Sequence, residues 1–233
     1  MSAYKAIIFD VDGTLYYQAP LRRKMLKELL LSFIFNPLKG YREIRLIKTF
    51  REEREKLRHF SPGKDTLLEE LQYLIPAQKL GISPQEVKKV IKDWIFEKPL
   101  KHLRACKIPG LDEFLALCKA QGLKTGIFSD YPASQKLETL GILQHFDLVL
   151  CATSPEINAF KPSPKGLKVT MEKLGLGPQE ILYVGDRLEV DGLCAERAGV
   201  SFVLISPGAK KISDFLQVED YFSLLQIIFG PKN

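Results

Sequence analysis

Tyr4-Lys5-Ala6-Ile7-Ile8-Phe9, running directly into Asp10-Val11-Asp12-Gly13-Thr14-Leu15, is the stretch on which the fold turns. A short, mostly apolar run that stops at an acid has the pattern of a strand buried on both faces of a parallel sheet. Residues two apart on a strand point to the same side, and open parallel sheets bind ligands beyond the carboxyl ends of their strands. Asp10 and Asp12 are therefore expected to face one site. Gly13 allows a sharp turn there, in which backbone N–H groups can approach an anion.

Outward from this strand the pattern alternates. Leu111, Phe114, Leu115 and Cys118 repeat at helical spacing, Gly122 ends that helix, and Leu123 to Phe128 reads as a strand. Helix Ala133–Leu140, strand Leu148–Cys151, helix Pro164–Leu174, strand Ile181–Val184, helix Glu189–Ala198 and strand Ser201–Ile205 follow. Such a series of crossover units predicts an α/β, doubly wound, Rossmann-like parallel sheet covered on both faces. Residues 16–107 are helical in character, with Leu46, Ile47, Phe50, Arg54 and Leu57 on one stripe. Breaks are expected at Asn36-Pro37, Ser61-Pro62-Gly63 and Ile82-Ser83-Pro84, where Pro restrains its predecessor and Ser can cap a new helix. The expected division is a core of residues 1–15 and 108–233 with an α-helical cap at 16–107, re-entry being marked by Pro109-Gly110.

Three further strand ends carry chemistry-bearing residues: Ser129-Asp130, Lys161-Pro162, and Gly185-Asp186 with Asp191 five residues on. Singly, each has a plain reading as a cap, a solvated lysine or helix-start acids. The ordered set DxDGT, strand with Ser, Lys-Pro, GDxxxxD resembles the haloacid dehalogenase-like superfamily, over the whole sheet region. Pro109-Gly110, Leu140-Gly141-Ile142 and His145-Phe146-Asp147 are similar to that family too, and its helical caps sit where the insert lies. The resemblance implies a phosphatase in which Asp10 is a transiently phosphorylated nucleophile. It also implies Mg²⁺ held by Asp10, the Asp12 carbonyl and Asp186, with Asp191 direct or through water. Asp12 is then the general acid and later the base. Gly13, Thr14, Ser129, Asp130 and Lys161 are expected at the phosphate, Lys161 offsetting charge. Relatives that displace halide need neither the acid at position 12 nor a metal, so Asp12 favours phosphate chemistry. At position 130 relatives frequently carry Asn, and Asp there would repel an anion if its side chain rather than its N–H faced it.

Composition bounds the alternatives. The hydrophobic fraction of 45% and charged fraction of 27% fit a folded globular chain. The longest apolar run, Leu29–Phe35, is broken by Ser32 and far shorter than the ~20 residues of a span. The amino terminus lacks the pattern of a secretion leader, so the expected location is cytoplasmic. Cys106, Cys118, Cys151 and Cys194 are dispersed and read as buried thiols, and His59, His102 and His145 as structural or solvated.

The net charge of +6 is uneven: residues 15–107 hold 21 Lys and Arg against 11 Asp and Glu, the remainder 13 against 17. Part of Arg22, Arg23, Lys24 and Arg42 to Arg58 is expected to face the entrance and steer a small phosphorylated metabolite, against the plain reading of a solvated face. Two other functions share these residues: a phosphomutase of sugar phosphates, or an inactive fold whose basic cap binds nucleic acid or a membrane surface. Sparse aromatic residues between the charges argue against a single-strand platform. Oligomeric state is not legible.

Overall fold

In the computed structural model of the chain, residues 4–60, 63, 66–208 and 215–230 are described. Among them six strands form one parallel sheet: β1 (Ala6–Phe9), β2 (Lys124–Ser129), β3 (Leu148–Cys151), β4 (Ile181–Gly185), β5 (Ser201–Ile205) and β6 (Leu216–Val218). Between β1 and β2 come helices α1 (Gln18–Phe35), α2 (Pro37–Leu57), α3 (Leu68–Leu80), α4 (Pro84–Ile91) and α5 (Leu100–Leu103), with a π-helical stretch at Lys92–Glu97. The later helices are α6 (Leu111–Ala120), α7 (Ser134–Leu140), α8 (Lys165–Leu174), α9 (Leu193–Ala198) and α10 (Tyr221–Phe229).

The spatial order β3-β2-β1-β4-β5-β6 means that the chain winds one way from β1, then the other. Such a reversal opens a crevice at the carboxyl ends of the strands, here beside β1. Alternation along β1 explains why both faces are apolar. Ile7 and Phe9 join a cluster with Leu111 and Phe114 of α6, Leu137 of α7 and Tyr221 of α10, whereas Ala6 and Ile8 join Leu167 of α8 and Ala195 of α9. β1 is thus sealed on both faces, and its carboxyl end borders the crevice.

The stripe read on residues 46–57 is real: Leu46, Ile47, Phe50, Arg54 and Leu57 are all buried on α2. Leu46, Ile47 and Phe50 pack with Tyr73, Ala77, Val87, Ile91 and Trp94 in a cluster separate from the two sheet cores, and the Phe50 and Tyr73 rings stack at 5.8 Å. Asn36 accepts from the Lys39 N–H and Ser83 from the Glu86 N–H, so both breaks are N-caps followed by Pro. Ser61 and Pro62 of the third break lie outside the described residues.

Three features differ from expectation. The helix placed at Glu189–Ala198 begins as a π-helical turn, Leu188–Gly192, before α9. β6 and α10 extend the sheet and one core beyond the last strand read in the sequence. Cys151 is only half-buried, while the other three cysteines are buried.

Candidate active site

Asp10 continues β1 by one rung, its N–H donating to the Val184 carbonyl at 2.9 Å. Its side chain is held on both oxygens: Lys161 Nζ lies 2.6 Å from Oδ1 and the Thr14 hydroxyl donates to Oδ2 at 3.2 Å. Lys161 is buried and also donates to Asp191 Oδ1 at 2.6 Å and to the Tyr183 hydroxyl at 3.2 Å. Tyr183 in turn donates to the same Asp191 oxygen at 3.1 Å, and the Arg187 N–H takes the other at 3.1 Å. The π-helical turn folds Asp191 back towards β4. A Cβ on Gly185 would stand 2.4 Å from that of Asp191, so the strand must end in glycine.

Asp12 has partners that the sequence reading missed. Lys136 of α7, buried, places Nζ 2.5 Å from Asp12 Oδ1, and the Tyr16 hydroxyl donates to the same oxygen. Burial alone would raise the Asp12 carboxyl, but Lys136 and Tyr16 bring it below the ordinary carboxylate range. The Asp12 carbonyl accepts from Gln18 Nε2. A lone lysine between Gln135 and Leu137 carries no motif; its one sequence signal is its place in the helix that follows a site strand.

Asp10, Asp186 and Asp191 bring carboxylate oxygens within 4.8 Å of one another. From the protein groups alone, burial pushes Asp10 up to about 7, against the pull of Lys161 and with Asp191 and Asp12 adding to the rise. Burial, Asp10 and Asp191 push Asp186 up to about 8. Four carboxylates, counting Asp12, thus face two ammonium groups, a formal deficit of two positive charges. An all-oxygen set short by two charges fits one hard divalent cation. Gly13, at φ 105°, leaves the space beside this set clear, since a Cβ there would fall 2.0 Å from Asp186 Oδ2.

Two expectations for the phosphate are altered by the geometry. Thr14 is fully buried with its hydroxyl on Asp10, so it orients that carboxylate rather than facing a ligand. Asp130 turns its carboxylate to Arg58 Nη1 at 2.5 Å and to the Lys161 N–H at 3.2 Å. Burial opposes the charge of Asp130, yet Lys161, Arg58 and Arg54 hold its carboxyl below the usual range. Ser129 is buried, its oxygen accepting from the Tyr131 N–H at 3.2 Å.

Arg54 of α2 and Arg58, the residue that caps its carboxyl end, clasp this edge of the sheet. Arg54 lies between the rings of Tyr131 and Phe160, 3.7 and 4.2 Å from their centroids, and donates to the Asp130 carbonyl at 2.5 Å. Arg58 also donates to the Lys161 carbonyl at 2.8 Å. A cavity of about 1140 Å³ joins Asp10, Asp12, Ser129, Lys161, Asp186 and Asp191 to the inner faces of α1 and α2. The basic run is therefore divided: Arg22, Arg51, Arg54 and Arg58 line the cavity, while Arg23, Lys24, Arg42, Arg45 and Lys48 point to solvent.

Residues 4–199 match the family model of the haloacid dehalogenase-like hydrolases. The chain belongs to that family. Among its relatives, glyceraldehyde 3-phosphate phosphatase of Methanopyrus kandleri is 31% identical over 215 residues, covering 88% of this chain and 84% of that one. Phosphoserine phosphatase of Thermus thermophilus is 25% identical over 230 residues, covering 88% and 90%. In structure, the HAD-hydrolase YfnB of Bacillus subtilis, bound to magnesium, superposes with a TM-score of 0.66 at 16% identity, covering 97% of this chain and 98% of that one. That likeness establishes the shared HAD-like fold. No helix among the described residues is long and apolar enough to cross a membrane.

Proposed function

We propose that this HAD-like hydrolase is a Mg²⁺-dependent phosphatase that cleaves small phosphate monoesters through an aspartyl-phosphate on Asp10. The reading is carried by the cluster of buried Asp10, half-buried Asp186 and buried Asp191 at the carboxyl end of β1, with Lys161 Nζ 2.6 Å from both Asp10 and Asp191. A carboxylate approaching a phosphate dianion meets repulsion of ~1 kcal/mol per charge pair at 4 Å in water and ~4 at an effective dielectric of 20. Lys161 offsets part of this at the attacking oxygen. Asp10 and Asp186, with Asp191 in support, would hold Mg²⁺, which when bound neutralises phosphoryl oxygens as a Lewis acid.

In the proposed first step an Asp10 oxygen bonds to phosphorus, the ester P–O bond breaks, and Asp12 gives its proton to the departing alkoxide. In the second, Asp12 takes a proton from water as that water attacks phosphorus, releasing inorganic phosphate and restoring the Asp10 carboxylate. Lys136 favours the ionised form of Asp12 and so the second role. An incoming phosphate favours the protonated form, and so the first. Helices α1–α5 would serve as the cap that excludes water. The named relatives act on three-carbon phosphates, and we take that class as the starting substrate set. A screen of phosphorylated metabolites for phosphate release, with Mg²⁺ and with chelator, tests the reading. Release from at least one monoester that stops on chelation is expected; no Mg²⁺-dependent release from any ester contradicts it.

Lys136→Met removes the charge beside Asp12 but keeps the aliphatic stem. Asp12 then titrates at higher pH, so whichever of its two roles limits the rate, the pH–rate profile moves to higher pH. An unmoved profile contradicts the pairing.

Chelated protein offers a second check. Asp10 and Asp186 rise from an ordinary 3.8 to about 7 and about 8, so the native state binds more protons than the unfolded state between those values. Their contribution to stability is present below pH 3.8 and lost as pH climbs towards 8. Mg²⁺ should raise the Tm by several degrees more at about pH 8 than at about pH 5. An equal rise at both would count against these carboxylates as the ligands.

A further inference from the structure

The far end of the α1–α2 hairpin is apolar and uncovered. From Leu30 to Tyr41 every residue is exposed except half-buried Ser32 and buried Gly40. Ile34, Phe35 and Leu38 are 69%, 85% and 80% exposed, and Leu30, Leu31 and Phe33 extend the patch along α1. Gly40 lets the two helices close on each other, since a Cβ there would stand 2.7 Å from the Phe33 Cα. The tip is therefore a narrow helical wedge. Single exposed apolar side chains are ordinary; a contiguous group of this size marks an interaction surface.

Charge decides what the wedge fits. All eight Lys and Arg between residues 18 and 48 are exposed, whereas the two acids in that span are turned inward. Glu28 lies 2.6 Å from His102 Nε2 and 2.9 Å from Lys101 Nζ, and Glu43 is buried on α2. The outer surface of the hairpin thus carries one sign of charge behind an apolar tip. A second copy seated on it would bring like charges together. Nucleic acid would match the charge and leave the tip exposed. An anionic bilayer surface satisfies both, taking apolar side chains roughly 5–10 Å into the acyl boundary while Lys and Arg meet the headgroups.

We propose that the α1–α2 hairpin docks this protein on anionic membrane surfaces, with Ile34, Phe35 and Leu38 inserted and residues such as Lys27, Lys39 and Arg42 at the headgroups. The test is flotation of the full chain with phosphatidylcholine vesicles, with and without phosphatidylserine. Binding is expected only with phosphatidylserine and should weaken as salt rises. Phe35→Glu/Leu38→Glu should reduce binding about tenfold or more by replacing inserted apolar surface with like charge. Neither residue lines the cavity, so phosphate release from a soluble ester should be unchanged in that variant. Arg42→Glu/Arg45→Glu should reduce binding as well. The proposal is overturned by absence of vesicle binding, by equal binding to neutral vesicles, or by full binding of the tip variant. It also fails if the protein is a dimer in solution that the tip variant converts to monomer without any vesicle binding.

Discussion

Asp10→Asn should reduce phosphate release by about ten-thousand-fold or more, the scale on which loss of a covalent nucleophile is felt. The amide keeps the shape of the side chain and removes the attacking charge. Stability should respond in the opposite sense. The Asp10 carboxyl is pushed up to about 7 because burial and two neighbouring carboxylates disfavour its charge, so a neutral amide relieves strain between like charges in chelated protein. Lys161 retains Asp191 at 2.6 Å as a partner. Activity measured with Mg²⁺ and thermal melting measured with chelator should therefore diverge: activity lost, Tm equal or higher. Loss of both together would make Asp10 a structural residue.

Lys161→Met carries the other large effect. Its ammonium group is buried against Asp10, Asp191 and Tyr183, and those carboxylates hold it well above the ordinary lysine range despite burial. Removing one partner of a buried ion pair typically costs about 3–5 kcal/mol, because the remaining charge is left without compensation. Urea unfolding at neutral pH with chelator should show a loss of that size. Without that ammonium the Asp10 carboxyl rises above about 7, so the loss should be largest at alkaline pH and partly returned as pH falls through neutral, where Asp10 takes up a proton. A loss below about 1 kcal/mol would mean that the cluster is more hydrated than its burial implies. Phosphate release should fall with it, since repulsion at the attacking oxygen is then unrelieved.

Much of this site was legible because parallel sheets confine chemistry to strand ends. Asp10, Ser129 and Asp186 stand at the ends of apolar strands, Lys161 follows β3 after a loop, and the structure brings all four to one cavity at the edge of the sheet. What was not legible depends on side chains reaching between elements. Lys136 and Tyr183 look like an ordinary helix lysine and a strand tyrosine, and only the packing of α7 and β4 shows that one sets the charge of Asp12 and the other braces Lys161. Asp130 looked like a hazard to an anion, but Arg58, at the carboxyl-terminal cap of α2, lies on its carboxylate. Arg54 did leave a trace, as a charge within an otherwise apolar stripe, the pattern of a buried cation with specific partners. β6 is three residues long, too short for alternation to register, and α10 is apolar on almost all sides, which blurs helical periodicity. Yet α10 matters to the site, for the Tyr221 hydroxyl donates to the Thr14 carbonyl at 3.0 Å and pins the turn after Asp12.

The reaction account rests on one bond, between an Asp10 oxygen and phosphorus. Rapid acid quench during turnover of a cleaved ester, followed by mass spectrometry of the peptide containing residue 10, reads that bond directly. The account predicts one phosphoryl group on Asp10, formed within the first turnover and absent in Asp10→Asn. Steady turnover with no phosphoryl group on the protein, or with the group on any other residue, would contradict it.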